Sequence, residues 1–219
     1  SPVIVENPRV IDFISYQELR ELSYMGASVL HEDAVFPGRK AGIPINIRNT
    51  NRPDDAGTFI VERVDEEDAE LLRPITGISG RKNFTILTLT GHNMNIGTTL
   101  RSAIEILERY HAAAEQITLG LDSFAFVVST DALGNALYDV IADLQKTCRP
   151  DDVSVKDGIA LVAAVGRKMT FRPGISGKIF KALGESGVNI RTIAQGADEL
   201  SIIVGVDNKN FETAIRVLY

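Results

Sequence analysis

The sequence predicts an α+β fold, because one βαββα order of strands and helices can be traced twice in the last two-thirds of the chain. The first repeat opens with an apolar strand that starts at Phe84 and ends at Gly91, and the second opens with residues 159–165 and ends at Gly166. Each strand leads through a polar, glycine-containing loop into a helix, two short strands and a second helix. Two such units in tandem favour a paired sensing module over a single active site.

Apolar residues at helical spacing mark the four helices of the repeats. Those of the first repeat are Leu100, Ala103, Ile104 and Leu107, then Leu137, Val140, Ile141 and Leu144. Those of the second are Ile175, Ile179, Phe180 and Leu183, then Phe211, Ala214, Ile215 and Leu218. Short β-rich runs predict the strands between them, at 116–119, 124–128, 190–193 and 200–204.

The N-terminal part does not fit the repeat. Ser15 and Glu18 have the spacing of a capping box, and the apolar residues after them predict a helix whose buried face continues past Gly26. Strands are predicted at 45–47 and 58–61, with a polar loop between them. This part is too short to bury a full α/β core alone, so it resembles the tail of a larger domain.

We place the domain limits at 1–65, 66–148 and 149–219. An acidic run at 65–70 is the expected linker between the first two domains. The second limit falls beside Pro150.

Composition excludes several classes of function. A net charge of −6 argues against a nucleic-acid partner, which would need clustered basic residues. No apolar run approaches the ~20 residues of a membrane span, and no signal peptide is recognised, so we expect no membrane partner. The single cysteine, Cys148, rules out a disulfide framework within the chain and favours a reducing, cytoplasmic location.

Residues 14–31, which read ISYQELRELSYMGASVLH, closely resemble the end of the catalytic domain of aspartate kinases. Residues 41–45 (AGIPI) and 56–58 (AGT) follow at the spacing that this family uses. The two repeats resemble the pair of ACT domains that follows the kinase domain in these enzymes. The resemblance covers the whole chain and implies tandem ferredoxin-like ACT domains of the βαββαβ type, preceded by an α/β remnant of the amino-acid kinase domain.

The resemblance implies an enzyme that phosphorylates the side-chain carboxylate of aspartate with ATP, on the route to lysine, threonine and methionine. The family's Lys-Phe-Gly-Gly motif and its substrate loops have no counterpart here. We therefore expect no catalytic residue, no metal site and no cofactor in this fragment, and ATP and Mg²⁺ only in the full-length enzyme. Many members carry a nucleotide-contacting Lys where this chain has Asn51 and Arg52, so these two are either a nucleotide contact or plain loop residues.

The family's effector contacts, carried over by position, fall on the loop and edge strand of the first ACT unit and at one point of the second. They are Met94, Gly97, Thr98, Leu100, Ala113, Ala114, Glu115, Leu119, Gly120, Asn189 and Ile190. Amides at a helix N-terminus suit the carboxylate of an amino acid. Glu115 stands where many members have Asp, so it is the candidate partner of the ligand's amine, the alternative being an exposed strand-edge carboxylate. Asn189 and Ile190 either add backbone contacts to the ligand or seal the interface between ACT units.

The family's effectors make lysine, threonine or both the expected ligand. These residues depart from the patterns typical of lysine-sensing and of threonine-sensing members, so which of them binds stays open. The expected assembly is a homodimer formed through the ACT domains. Two alternatives stay open: a dimerisation scaffold that binds no ligand, and a stand-alone regulatory subunit that assembles with a separate catalytic chain.

Overall fold

The structure is a computed structural model, and it describes residues 4–6, 8–27, 32–64, 74–167, 169, 173–196 and 198–219. The predicted acidic linker at 65–70 lies outside these residues. The chain divides into two compact units, of which one comprises residues 1–81 and 161–219 and the other residues 82–160. Among the described residues, no helix is long and apolar enough to cross a membrane.

The N-terminal part of the first unit contains a small sheet and two helices. Its elements are β1 (Phe13–Ser15), α1 (Tyr16–Tyr24), α2 (Glu32–Lys40), β2 (Ile45–Ile47) and β3 (Thr58–Val61). The strands follow the order β1-β3-β2, with β1 parallel and β2 antiparallel to β3. The strands predicted at 45–47 and 58–61 are confirmed, whereas α2, which contains Pro37, was not predicted.

Helix α1 has the predicted start but not the predicted end. Glu18 donates its N–H to the Ser15 hydroxyl, and its carboxylate accepts the N–H of Ser15, so the capping box is confirmed. The prediction that the helix continues past Gly26 is wrong. Gly26 has a φ of +98°, and Ala27 donates its N–H to the carbonyl of Leu22, which is the hydrogen bond of a Schellman motif that ends the helix at Tyr24.

The last two-thirds of the chain contain both repeats in the predicted order, which confirms the α+β class. The elements are β4 (Gly77–Thr90), α3 (Ile96–Arg109), β5 (Ala114–Leu119), β6 (Ser123–Ser129), α4 (Thr130–Leu133), α5 (Leu137–Cys148), β7 (Asp152–Val165), α6 (Ile175–Glu185), β8 (Ile190–Gln195), β9 (Ser201–Asp207) and α7 (Phe211–Leu218). Strands β4 and β7 begin earlier than the predicted starts at residues 84 and 159.

Both units use the long strands β4 and β7. In the unit of residues 82–160 the strands follow the order β5-β6-β4-β7, and in the other unit the order is β4-β7-β9-β8. Each long strand has one residue at positive φ near the boundary between units, Asn83 in β4 (φ 68°) and Gly158 in β7 (φ 73°). Compactness alone does not fix where domains begin, so the predicted limits stay a prediction.

The core of the unit of residues 82–160 lies between its sheet and helices α3 and α5. The most buried residues of this core are Leu87, Leu89, Ala103, Ile106, Leu107, Ala112, Phe124, Phe126, Val128, Leu133, Val140 and Leu144. Phe124 and Phe126 pack edge to face, with ring centroids 5.4 Å apart. The apolar stripes predicted for α3 and α5 therefore face the core.

Candidate functional site

The strand-to-helix loop of the first repeat ends at Asn95, which caps α3. Its side-chain oxygen accepts the N–H and the hydroxyl of Thr98, each at 3.1 Å. The helix therefore begins at Ile96, and the predicted effector residues Gly97, Thr98 and Leu100 lie in its first turns. The first N–H groups of a helix have no partner within it, so this turn presents donors towards an anion.

The space beside Gly97 is nearly open. Among the residues that the structure describes, a Cβ added there would meet only the side-chain oxygen of Asn95, at 3.8 Å. Glycine lowers helix stability by up to about 1 kcal/mol relative to alanine, and an alanine would fit at this position of α3 without a close contact among the described residues. Gly120 differs, because a Cβ there would lie 2.7 Å from the hydroxyl oxygen and 3.3 Å from the carbonyl oxygen of Ser123, so a larger residue would require Ser123 to move.

Strand β5, the outermost strand of its unit, carries three of the other predicted effector residues, Ala114, Glu115 and Leu119. Ala114 pairs with Val128 and Gln116 with Val127, so Glu115 is the extra residue of a β-bulge. A bulge re-aims a side chain at the edge of a sheet. Ala113 is exposed just before the strand, and Leu119 and Gly120 lie at its far end.

The predicted residues fall into two groups at opposite ends of β5. Leu119 pairs with Phe124 of β6, which pairs with Leu89 of β4 just before the loop. The loop residue Met94 and the α3 residue Leu100 pack against the same core. Glu115 lies four residues before Leu119, which is about 13 Å along a strand. Within one chain, Leu119 and Gly120 are therefore at the loop end of the sheet and Glu115 is not.

The edge strand also exposes apolar side chains on the face of the sheet that bears the core. Ile117 pairs with Phe126 and Leu119 with Phe124, and these phenylalanines are buried. Ile117 is nevertheless 44% exposed and Leu119 58% exposed. Ile117 was not among the predicted site residues, although its alternation with polar Gln116 and Thr118 was visible in the sequence.

The second repeat has a matching bulge with a different charge. In β8, Ile190 pairs with Val206 and Thr192 with Gly205, so Arg191 is the extra residue where the first repeat has Glu115. Arg191 forms a two-pronged ion pair with Asp207, at 3.0 and 2.8 Å. This hydrogen bonding raises the pKa of the Arg191 guanidinium. Asn189 and Ile190 match Ala113 and Ala114 in this comparison, and they belong to the other compact unit.

The predicted nucleotide contact lies on an exposed loop between β2 and β3. Asn51 and Arg52 donate their N–H groups to the side chain and the carbonyl of Asn49, at 3.0 and 2.9 Å. Both side chains are exposed, and nothing in the structure tests a nucleotide contact.

Across the described residues, no cluster of His, Cys, Asp and Glu could hold a metal ion. Two open surface clefts contain none of the predicted effector or nucleotide residues, one on α3 and one beside α2.

Known proteins that are similar to this chain include an ACT domain family and several aspartokinases. An ACT domain model matches residues 162–219. Aspartokinase 3 of Bacillus subtilis is 35% identical over 222 residues, which cover all of this chain and 48% of that protein. The chain thus spans about half the length of this relative.

Two solved structures agree with this match. Clostridium acetobutylicum aspartate kinase superposes with a TM-score of 0.93 and 44% identity, covering 100% of this chain and 50% of that one. Escherichia coli aspartokinase III, in its complex with lysine and aspartate (T-state), superposes with a TM-score of 0.78 and 27% identity, covering 100% and 47%. The predicted resemblance and the predicted ferredoxin-like ACT architecture are both confirmed: over its whole length the chain is similar to the C-terminal half of aspartokinases, and its own C-terminal part matches an ACT domain.

Proposed function

We propose that this chain is the feedback-control region of an aspartate kinase, and that it binds an end-product amino acid, lysine or threonine, between two chains. The whole enzyme would phosphorylate the side-chain carboxylate of aspartate with ATP and Mg²⁺. Support comes from the aspartokinase relatives and from the E. coli structure, which is a complex with lysine.

The observation that carries the proposal is the position of the two groups of site residues at opposite ends of an edge strand. If β5 of one chain pairs antiparallel with β5 of a second, Glu115 of each chain comes beside Leu119, Gly120 and the loop of the other. A two-fold dimer then completes two identical sites. One chain alone supplies only half of each.

The chemistry at the two ends suits the two ends of a free amino acid. The first turn of α3 offers backbone N–H groups and the positive end of the helix dipole, which favour a carboxylate. Glu115 offers a carboxylate for the ammonium group. The space beside Gly97 allows the ligand to approach the backbone closely.

A dimerisation scaffold without ligand is the second candidate, and one observation favours it. Ile117 and Leu119 would be covered by pairing of β5 strands whether or not a ligand binds. Ligand binding separates the two candidates.

Calorimetric titration with lysine, with threonine and with both tests the proposal. Replacing Glu115→Gln removes a charge-assisted contact worth about 1.5–3 kcal/mol, so we expect affinity to fall about 10- to 150-fold. Replacing Gly97→Ala is expected to weaken binding while making the protein more resistant to urea. Glu108→Gln, which alters an exposed carboxylate near the other end of α3, is the matched control and should bind as the unaltered chain does.

Two results would contradict the proposal. A folded dimer that takes up neither amino acid would leave the scaffold function. Binding that is equally strong in the unaltered chain and in Glu115→Gln would remove Glu115 from the site.

A further inference from the structure

A fully buried carboxylate joins α1 to the second repeat. Glu18 has no exposed side-chain surface. One of its oxygens accepts the N–H of Ser15 at 2.9 Å, the hydroxyl of Ser15 at 2.8 Å and the Nη1 of Arg167 at 2.7 Å. Its other oxygen accepts the hydroxyl of Thr76. A buried charge is tolerated only when paired and hydrogen-bonded in this way.

Arg167 occupies a defined place in the repeat. Gly91 donates its N–H to a carbonyl in the turn before β6, and Gly166 donates to the carbonyl just before β9, each at 2.9 Å. The two loops therefore start in the same way. His92 and Arg167, the next residues, occupy matching positions.

The segments that enter β7 and β4 also match. Asp151 donates its N–H to the last carbonyl of β4 at 2.8 Å, and Thr76 donates to the last carbonyl of β7 at 2.7 Å. In the first repeat, the Asp151 carboxylate also accepts the N–H of His92 at 2.7 Å. Thr76, which occupies the matching position in the second repeat, has a hydroxyl in place of the carboxylate of Asp151. Its hydroxyl donates to Glu18 instead.

We infer that the start of the second repeat's loop is a built carboxylate site, and that its occupant is Glu18 of α1. The first repeat holds its loop with a carboxylate of its own, and the second takes one from the N-terminal part of the chain. Two further contacts bring the same helix to the repeat: Ser201 of β9 donates to Glu21 at 2.9 Å, and a Cβ added at Gly77 would touch Leu22 at 3.0 Å. Because Glu18 is hydrogen-bonded both to the start of α1 and to this loop, we expect local opening of one to be accompanied by opening of the other.

Chemical rescue tests the site. Glu18→Ala removes a methylene group and the carboxylate. Acetate consists of a methyl group and a carboxylate, so it can occupy the vacated space beside Arg167. We expect the thermal midpoint of Glu18→Ala to fall, and to recover in acetate relative to chloride at the same ionic strength. The unaltered chain, whose site is full, should show no such difference. The double variant Glu18→Ala, Arg167→Met should also show none.

Glu18→Gln keeps the shape of the side chain and removes its charge, and it covers the case in which Glu18→Ala fails to fold. Amide hydrogen exchange in this variant should be faster by at least about tenfold both in α1 and at Gly166 and Arg167. Faster exchange in α1 alone would show that Glu18 only stabilises its own helix and would overturn the coupling. A folded Glu18→Ala variant that acetate does not rescue would overturn the site.

Discussion

The dimer that the proposed function requires can be tested at one side chain, Ile117. It lies in the middle of the edge strand β5, on the core-bearing face of the sheet, and is 44% exposed. Replacing Ile117→Thr keeps a β-branched residue that suits a strand and removes most of the apolar surface. The substitution should therefore weaken the pairing of β5 with a second chain more than it destabilises the folded chain.

The size of the effect follows from the exposed fraction. Fully burying an isoleucine side chain is worth about 1.5–3 kcal/mol, so covering the exposed part of Ile117 is worth roughly 1 kcal/mol in each chain. A two-fold interface contains the same residue twice, so the variant loses roughly 2 kcal/mol of dimerisation free energy. The dissociation constant of the dimer should therefore rise about 30-fold.

Sedimentation over a range of protein concentrations measures this constant. Tyr138→Ser is the matched control, because Tyr138 is 82% exposed on α5 and should not touch the partner. Thermal unfolding checks that both variants keep their fold. A monomeric unaltered chain would refute the argument, as would a dissociation constant that Ile117→Thr changes no more than Tyr138→Ser does.

Two further predictions concern stability and reactivity. His111 has a φ of 55° at the end of α3, where the second repeat has Gly187, so His111→Gly should raise the urea unfolding free energy by about 0.5–1 kcal/mol, whereas His111→Ala should not. Burial raises the pKa of the Cys148 thiol above its usual value of 9.0. The unfolded chain therefore loses this proton first, so the thiol's contribution to stability is full below pH 9 and falls as the pH rises above it. Iodoacetamide at pH 8 should accordingly modify the folded chain more slowly than the urea-unfolded chain; equal rates would contradict this.

The repeats could be predicted from the sequence because their signals are local. Apolar runs ending at Gly91 and Gly166 mark the two opening strands, and apolar stripes mark the helices. The capping box at Ser15 is equally local, since both partners lie within one turn. Such features need no knowledge of the remote parts of the chain.

Other features could not be predicted because their causes are remote or opposed to local preference. The first halves of β4 and β7 contain polar residues and glycines, and they are strands because neighbouring strands pair with them. Helix α2 contains Pro37, which predicts a break. In α1 the positive φ of Gly26 ends the helix, although apolar residues follow it in the sequence.

The candidate site also combines a feature with a local cause and features with remote causes. Asn95, the residue that caps α3, is a type that sequence rules favour at this position. The bulge at Glu115 depends on how β5 pairs with β6, and so does the separation of Glu115 from Leu119. A list of site residues carried over by position therefore names this strand, but only the pairing of β5 with β6 shows that Glu115 and Leu119 lie at its opposite ends.

The side chains at the two matching bulges carry opposite charges, which favours different functions for the two repeats. At Glu115 the first repeat places a carboxylate, the charge that an amino acid's ammonium group requires. At Arg191 the second repeat places a cation already bound to Asp207, so an ammonium group there would meet like charge. The second repeat instead has a loop that holds Glu18. A second ligand site is therefore not expected in it, and its task in our proposal is to hold α1 while the first repeat binds the effector.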